Sequence, residues 1–168
     1  ELYCKFAGKV YALPIDGDVL MLQYRKDLIN DTGEKAAFKA KYGRELKPPE
    51  TWQDWLDIGK FFTRKKGEKL AGKVLDRDFY GTAELAKRGF SFAWFLNRWA
   101  PFGEPYFDKD MKPMINSPNA VKALQNEVES LKNAPPDVRG YGYDELRDAF
   151  LKSNVAMIVQ WTDVPKKG

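Results

Sequence analysis

The stretch that decides the fold class is residues 155–160, VAMIVQ, which leads directly into Trp161. An uncharged, mostly apolar run of this length is typical of a buried strand. Two similar runs near the start of the chain, residues 10–15 and 19–24, predict two more buried strands. Because strands at both ends enclose several predicted helices, the sequence indicates the α/β class, with helices packed on a small mixed sheet.

Two helices between these strands have strong start signals. Thr51, with Asp54 three positions later, is close to a capping box, and the helix that follows is predicted to end near Lys65. Ser117 followed by Pro118 combines a capping residue with the residue favoured at the first helical position. Apolar residues then recur at steps of three, four and three, which is the clearest helical spacing in the sequence. They are Val121, Leu124, Val128 and Leu131.

Weaker signals predict the remaining elements. Composition and periodicity favour helices over residues 34–42, 90–99 and 144–152, and a short strand over residues 79–82. Asn154 is expected to adopt the left-handed conformation that often ends a helix.

Composition limits the classes of function. The 168 residues are 43% hydrophobic and 31% charged, which is typical of a globular domain with its own core. No apolar run approaches the ~18 residues that span a bilayer. The net charge is +4. The chain has one short basic cluster, residues 64–66, which is expected to interact favourably with the dipole at the C-terminal end of a helix. Basic and aromatic residues do not interleave as in an RNA-binding surface, so no nucleic-acid partner is expected.

The sequence contains no histidine and one cysteine, Cys4. The commonest general base and metal ligand is therefore missing, and neither an internal disulfide nor a CxxC site can form. Catalysis would have to rest on carboxylates, lysine, tyrosine or serine. We expect no cofactor and no metal site.

Two acidic residues, Asp16 and Asp18, flank Gly17 between the two predicted N-terminal strands. The simplest interpretation is a polar turn. Alternatively, carboxylates at a strand end accept charge-assisted hydrogen bonds from ligand hydroxyls. They could also form a glycosidase pair or bind calcium, although the run lacks the ligand series of an EF-hand loop.

Aromatic side chains form a second group of candidates. Residues 90–99 contain more rings than one helix face can bury, so we expect most in the core and some free to stack on a sugar. The polar neighbours of these rings are Arg88, Asn97 and Arg98. Trp161 fits a core position or a ring in a cleft equally well, because binding residues of open α/β sheets gather at strand ends. Asp163 is a candidate hydroxyl acceptor or a turn residue.

Four sequence themes occur along the chain. They are residues 8–14 (GKVYALP), residues 24–28 (YRKDL), residues 49–52 (PETW) and the run from Phe150 through residues 156–157 (AM) to Trp161. In these themes and their order, the chain resembles the family 1 extracellular solute-binding proteins, the capture components of ABC importers. Asn154 departs from the pattern, because the family usually has glycine there.

The resemblance implies a type II periplasmic-binding-protein fold, in which two α/β lobes close on a ligand by hinge motion. Residues 1–168 would form a single α/β lobe, a fragment of the two-lobe protein. The crossings between lobes would lie near residues 13–18 and 161–166.

The resemblance also implies substrate-binding roles. Asp18 falls where the maltose-binding relatives carry an acidic sugar contact, and Trp161 matches the family's stacking tryptophan. Phe92 falls near an aromatic sugar contact. Together with the neighbouring Asp16 and Asp163, these residues form the predicted substrate-binding set.

The expected function is therefore the substrate-binding component of an ABC importer, which captures a sugar or polyol outside the cytoplasm and delivers it to the permease subunits without catalysing a reaction. One alternative is a glycosidase that uses Asp16, Asp18 or Asp163. Another is a stand-alone carbohydrate-binding or protein-interaction module. The lobe alone is expected to bind weakly and to self-associate through its exposed interlobe surface.

Overall fold

A computed structural model of the chain describes residues 4–13 and 17–161. Its strands are β1 (Lys5–Phe6), β2 (Lys9–Val10), β3 (Leu20–Tyr24), β4 (Lys69–Leu70), β5 (Lys73–Val74), β6 (Tyr80–Ala83) and β7 (Val155–Trp161). Its α-helices are α1 (Lys26–Asn30), α2 (Thr32–Tyr42), α3 (Trp52–Phe62), α4 (Ser91–Trp99), α5 (Pro118–Ser130) and α6 (Tyr143–Leu151). Most predicted elements are thus present.

Strand β7 is the centre of the main sheet. Residues 155–160 are all buried, as predicted. β3 pairs with β7 in the antiparallel direction, with Leu20 opposite Trp161, and β6 pairs with its other side in the parallel direction, with Tyr80 opposite Val155. The result is a small mixed sheet covered by helices, which confirms the predicted α/β class.

The prediction of a buried strand at residues 10–15 is wrong for its described part. β2 ends at Val10 and pairs with β1 as a separate two-stranded hairpin. Val10, Tyr11 and Leu13 are largely exposed, because this segment lies outside the three-stranded sheet on which the helices pack. Residues 14–15 lie outside the described ranges. The second run does form a strand, but β3 is an edge strand and Met21 is exposed.

Helix α3 begins as predicted and ends earlier. Thr51 Oγ1 accepts a hydrogen bond from the Asp54 amide at 3.0 Å, and the Thr51 amide donates to Asp54 at 3.1 Å, which completes the capping box. The helix ends at Phe62, because the backbone of Thr63 is extended. The basic cluster therefore lies beyond the helix and does not complement its last turn. Instead, Lys65 pairs with Asp78 at 2.8 Å.

Two glycines allow α3 to pack closely on β6. A Cβ atom at Gly81 would lie 1.7 Å from the carbonyl oxygen of Gly59. A Cβ atom at Gly59 would lie 2.8 Å from the Thr82 methyl group. Since backbone atoms cannot rotate away as a side chain can, this contact requires glycine at position 81.

Helix α5 begins where it was predicted to, and Ser117 Oγ accepts from the Ala120 amide at 3.0 Å. Its buried face, however, is not the one that carries the apolar residues spaced three and four apart. Val121, Leu124 and Val128 are 44%, 51% and 53% exposed. The buried residues are instead Ala120, Ala123, Glu127 and Ser130. The small alanines let α5 approach α4, and the two polar residues meet buried polar groups described below.

The last helix is also slightly displaced from its prediction. α6 begins after Gly142, whose amide donates to Glu145 Oε2 at 2.9 Å, so Asp144 is not its capping residue. The left-handed residue is Ser153, with φ 57°, and not Asn154. Asn154 already belongs to the approach to the sheet, because its carbonyl oxygen accepts a hydrogen bond from the Tyr80 amide at 3.1 Å.

Candidate functional site at the end of the central strand

Trp161 is the last residue of β7 and is only partly buried. Its ring meets Trp94 edge-on, with centroids 5.3 Å apart and an interplanar angle of 87°. Tyr143 lies on another side, with centroids 6.1 Å apart. The Trp161 carbonyl accepts a hydrogen bond from Gln23 at 3.0 Å. Rings on α4 and α6 therefore orient this indole and Gln23 holds its backbone, while the residue remains partly open to solvent.

Asp18 lies at the same end of the sheet. It is exposed and precedes Leu20, the residue paired with Trp161, by two positions. The structure thus brings the segment that carries Asp18 next to the end of β7. The other predicted carboxylates, Asp16 and Asp163, lie outside the described residues.

Phe92 is in the first turn of α4 and is 63% exposed. Two residues later, Trp94 is fully buried and donates its indole N–H to the Val159 carbonyl at 3.0 Å. This contact holds the start of α4 near the end of β7. The helix therefore has the two expected aromatic faces, with Trp94 and Trp99 in the core and Phe92 in solvent.

A cavity of about 420 Å³ adjoins this end of the sheet. It lies between β3, the start of α3 and the end of α4, and Leu20 lines it as well as pairing with Trp161. Its other lining residues are Leu22, Pro49, Glu50, Thr51, Trp52, Trp55, Asn97, Pro101 and Val159. A mostly apolar wall with a few polar groups, and a volume in the range ~300–1,000 Å³, are typical of small-molecule sites.

A buried carboxylate, Glu84, holds the tryptophans of this cavity in place. Glu84 directly follows β6 and accepts hydrogen bonds at Oε1 from Arg98 and from Ser130, both at 2.6 Å. Ser130 Oγ accepts in turn from the indole N–H of Trp55 at 2.7 Å. The Arg98 guanidinium lies over the Trp52 ring, 4.2 Å from its centroid. Both rings are thereby connected to one anion.

Asn126 joins Arg98 to the backbone of α3. Its side-chain oxygen accepts from Arg98 Nε at 3.0 Å, and its amide nitrogen donates to the Trp52 carbonyl at 3.1 Å. Arg98 is 1% exposed, so it is a buried structural cation and does not offer its charge to solvent. Sequence reasoning identified Arg98 only as a polar neighbour of aromatic rings. The available signal was a single charged residue, followed directly by Trp99, in a helix that is mostly aromatic and apolar.

A second buried acid, Glu127, lies near the Glu84–Arg98 ion pair. Burial raises the pKa of Glu127 from its ordinary 4.5 to about 7; the Arg98 charge lowers the pKa, and the Glu84 charge raises it further. Sequence reasoning missed both acids, Glu84 after β6 and Glu127 on α5, since glutamate side chains are usually solvated.

The described residues contain no group of three or more acidic, histidine or cysteine side chains arranged to hold a metal ion. Within the same ranges, no helix is both long and apolar enough to cross a bilayer. Ordered rings beside a preformed cavity favour noncovalent capture of a small molecule. Fold and site together define the class of the molecule as an α/β lobe with a preformed, mostly apolar cavity beside one end of its sheet.

The sequence matches the bacterial extracellular solute-binding protein family over residues 2–167, so the chain belongs to that family. A probable ABC transporter-binding protein of Deinococcus radiodurans is 29% identical over 161 residues, which cover 92% of this chain and 33% of that protein. A mannitol-binding protein of Pseudomonas aeruginosa is 27% identical over 164 residues, which cover 96% of this chain and 32% of that protein. The chain therefore spans about a third of the length of these curated relatives.

Solved structures show the same fold. An ABC transporter solute binding protein from Agrobacterium vitis S4 with bound D-mannitol superposes with a TM-score of 0.68 at 26% identity, covering 95% of this chain and 34% of that one. Maltose-bound MalE3 of T. maritima superposes with a TM-score of 0.66 at 23% identity, covering 97% and 37%; at that identity it supports the fold alone. The predicted family and the predicted periplasmic-binding-protein lobe are confirmed.

Proposed function

We propose that this protein is the substrate-binding component of an ABC importer, which captures a sugar or polyol outside the cytoplasm and delivers it to membrane permease subunits. Family membership supports this role, and so do relatives whose names or bound ligands include mannitol. The observation that carries the proposal is the position of Trp161, a partly exposed and firmly oriented ring at the end of the central strand.

In this proposal Trp161 stacks on the apolar face of the ligand, and Asp18 accepts hydrogen bonds from its hydroxyls. Phe92 supplies a second exposed ring on α4. Asp16 and Asp163 are proposed as further hydroxyl acceptors from their places in the sequence. Capture of this kind requires affinity and no chemical step.

The chain is proposed to form one lobe of a hinged pair, with crossings at residues 13–18 and 161–166. The pairing of Leu20 with Trp161 supports this arrangement, because it places the described ends of the two segments, residues 17–18 and Trp161, at the same end of the sheet. Closure around a ligand would change the surface that the permease contacts.

Isothermal titration of the full-length protein with D-mannitol, ribitol and maltose tests the proposal. Trp161→Ala is expected to weaken binding of the preferred ligand about 30-fold, because truncating a central ring removes about 2 kcal/mol of binding free energy. Asp18→Asn is expected to weaken it about 10-fold, through loss of charged hydrogen bonds. Asp76→Asn is the matched control, since Asp76 is an exposed acid near the start of β6, away from the end of β7.

Failure of the protein to bind any sugar or polyol would contradict the proposal. A chromogenic glycoside assay distinguishes this binding function from the alternative of a glycosidase. Turnover that disappears in Asp18→Asn would support a glycosidase in place of a binding component.

A further inference from the structure

Two buried carboxylates, Glu84 and Glu127, lie near one buried guanidinium, that of Arg98, behind the wall of the cavity. Glu84 and Arg98 form an ion pair at 2.6 Å, and both side chains are nearly inaccessible to solvent. Glu127 follows Asn126 on α5 and precedes Ser130 by one helical turn. Because those two neighbours hydrogen-bond to Arg98 and Glu84, Glu127 is placed beside the ion pair.

The charges of this cluster balance only when one acid is neutral. The charge of Arg98 compensates one carboxylate, and Glu84 already accepts the shortest hydrogen bond that Arg98 donates. Within the described residues, Glu84 Oε2 is buried and has no hydrogen-bond partner. A second anion beside it would therefore be poorly compensated, because Glu127 is only 7% exposed and little water reaches it to screen the charge.

We propose that Glu84, Arg98 and Glu127 form a proton-responsive anchor for Trp52 and Trp55, which holds the cavity wall in place while Glu127 carries a proton and loosens it when that proton leaves. The proton acts through contacts already described. A charged Glu127 competes with Glu84 for Arg98, and Arg98 is the group that lies over Trp52. Displacement of Glu84 also disturbs Ser130, the acceptor for Trp55.

The elements packed around Glu127 present few other charges. α4 contributes Arg98, and the residue after β6 is Glu84. On its own helix, Lys122 and Glu129 are exposed. The side of α3 that contacts α5 and the turn after it presents the uncharged Trp52, Trp55 and Gly59.

The direction of the pH effect follows from the raised pKa of Glu127. The folded protein retains this proton at pH values where the unfolded chain has lost it, so folding is favoured at low pH. This stability is fully present below the unfolded pKa of 4.5 and is lost as the pH rises through the folded value of about 7. Between about pH 5 and about pH 8, this group alone is expected to raise the unfolding equilibrium constant by roughly 70-fold.

Indole N–H resonances of the full-length, ligand-free protein test the anchor directly. The Trp55 signal is expected to shift with pH with a midpoint near neutrality, and Glu127→Gln is expected to remove that shift, because glutamine stays neutral. Glu129→Gln is the matched control, an exposed acid on the same helix, and is expected to leave the Trp55 titration unchanged. The Trp94 signal is an internal control, because its indole N–H donates to a backbone carbonyl.

A Trp55 titration that persists in Glu127→Gln, or that is absent in the unmodified protein, overturns the anchor. If Glu127→Gln does not fold, infrared spectroscopy of the unmodified protein decides: a protonated carboxyl band must be present at low pH and fade near neutrality. Any effect of the Glu127 proton on ligand affinity rests on the proposed function. Mannitol titrations at about pH 5 and about pH 8 examine that effect separately. Loss of the Trp55 shift refutes the anchor, whereas absence of any ligand refutes only the proposed function.

Discussion

Helices α3 and α5 have similar sequence signals, but α3 buries its large apolar residues and α5 exposes its own. Both begin at a residue that caps the helix through its side chain, and both carry apolar residues at steps of three and four. The apolar residues of α3 are largely buried, with Trp55, Ile58 and Phe62 in the core. Those of α5 are exposed, and its buried side includes Glu127 and Ser130.

The difference arises from what each helix meets in the folded protein. α3 lies against β6 and the aromatic core, where apolar burial decides its orientation. α5 lies against α4 and α3, where Glu84 and Arg98 already need hydrogen-bonding partners. A buried polar group without partners costs ~1–3 kcal/mol, about as much as burying one apolar side chain contributes. The need of buried polar groups for hydrogen-bond partners can therefore decide which face of a helix is buried, even when this leaves its apolar face exposed.

The largest expected loss of stability comes from removing a buried ring of α3. Trp55→Ala removes a fully buried ring and leaves Ser130 without its donor. We expect a loss of about 3–5 kcal/mol in the free energy of unfolding. Urea denaturation followed by far-ultraviolet circular dichroism measures it. A loss below about 1 kcal/mol would show that α3 does not pack as described.

A smaller loss is expected when α3 is forced away from β6. Gly81→Ala places a Cβ atom against the Gly59 carbonyl, so the helix must move. We expect a loss of about 3 kcal/mol, measured in the same way. Gly140→Ala is the control, because a Cβ atom at that position has no neighbour within 4 Å. Equal stability of the two variants would contradict the close contact.

The smallest effect is expected on the exposed side of α5. Leu124→Ser exchanges an exposed apolar side chain for a polar one, and we expect a change within about 0.5 kcal/mol in the stability of the 168-residue chain. Thermal unfolding of the variant beside the parent chain measures it. A loss of about 2 kcal/mol or more would show that this face is covered, and would remove the contrast between the two helices.

Local signals accounted for much of the fold. The capping residues Thr51 and Ser117 started their helices where expected, and the uncharged run at residues 155–160 became the central strand. Boundaries that depend on distant contacts were missed. α3 ended early, where Arg64 begins to pair with Phe79 across the chain.

The candidate site was predictable only in part. Family resemblance pointed to Trp161 and Asp18, and the structure places their segments at the same end of the sheet. The cavity wall was not predictable, because Trp52 and Trp55 have the same helical spacing as core residues. Their link to Glu84 spans long sequence distances, and no local pattern records it.

The amino-acid sequence by itself determined where α3 and α5 begin, that residues 155–160 form a buried strand and which family the chain resembles, because capping and hydrophobic runs act between neighbours along the chain. Tertiary structure alone decided which face of α5 is buried, that Arg98 is internal and that Glu127 lies beside Glu84. Those outcomes depend on partners far apart in sequence, and the energies of polar and apolar burial are balanced only when all the partners are in place.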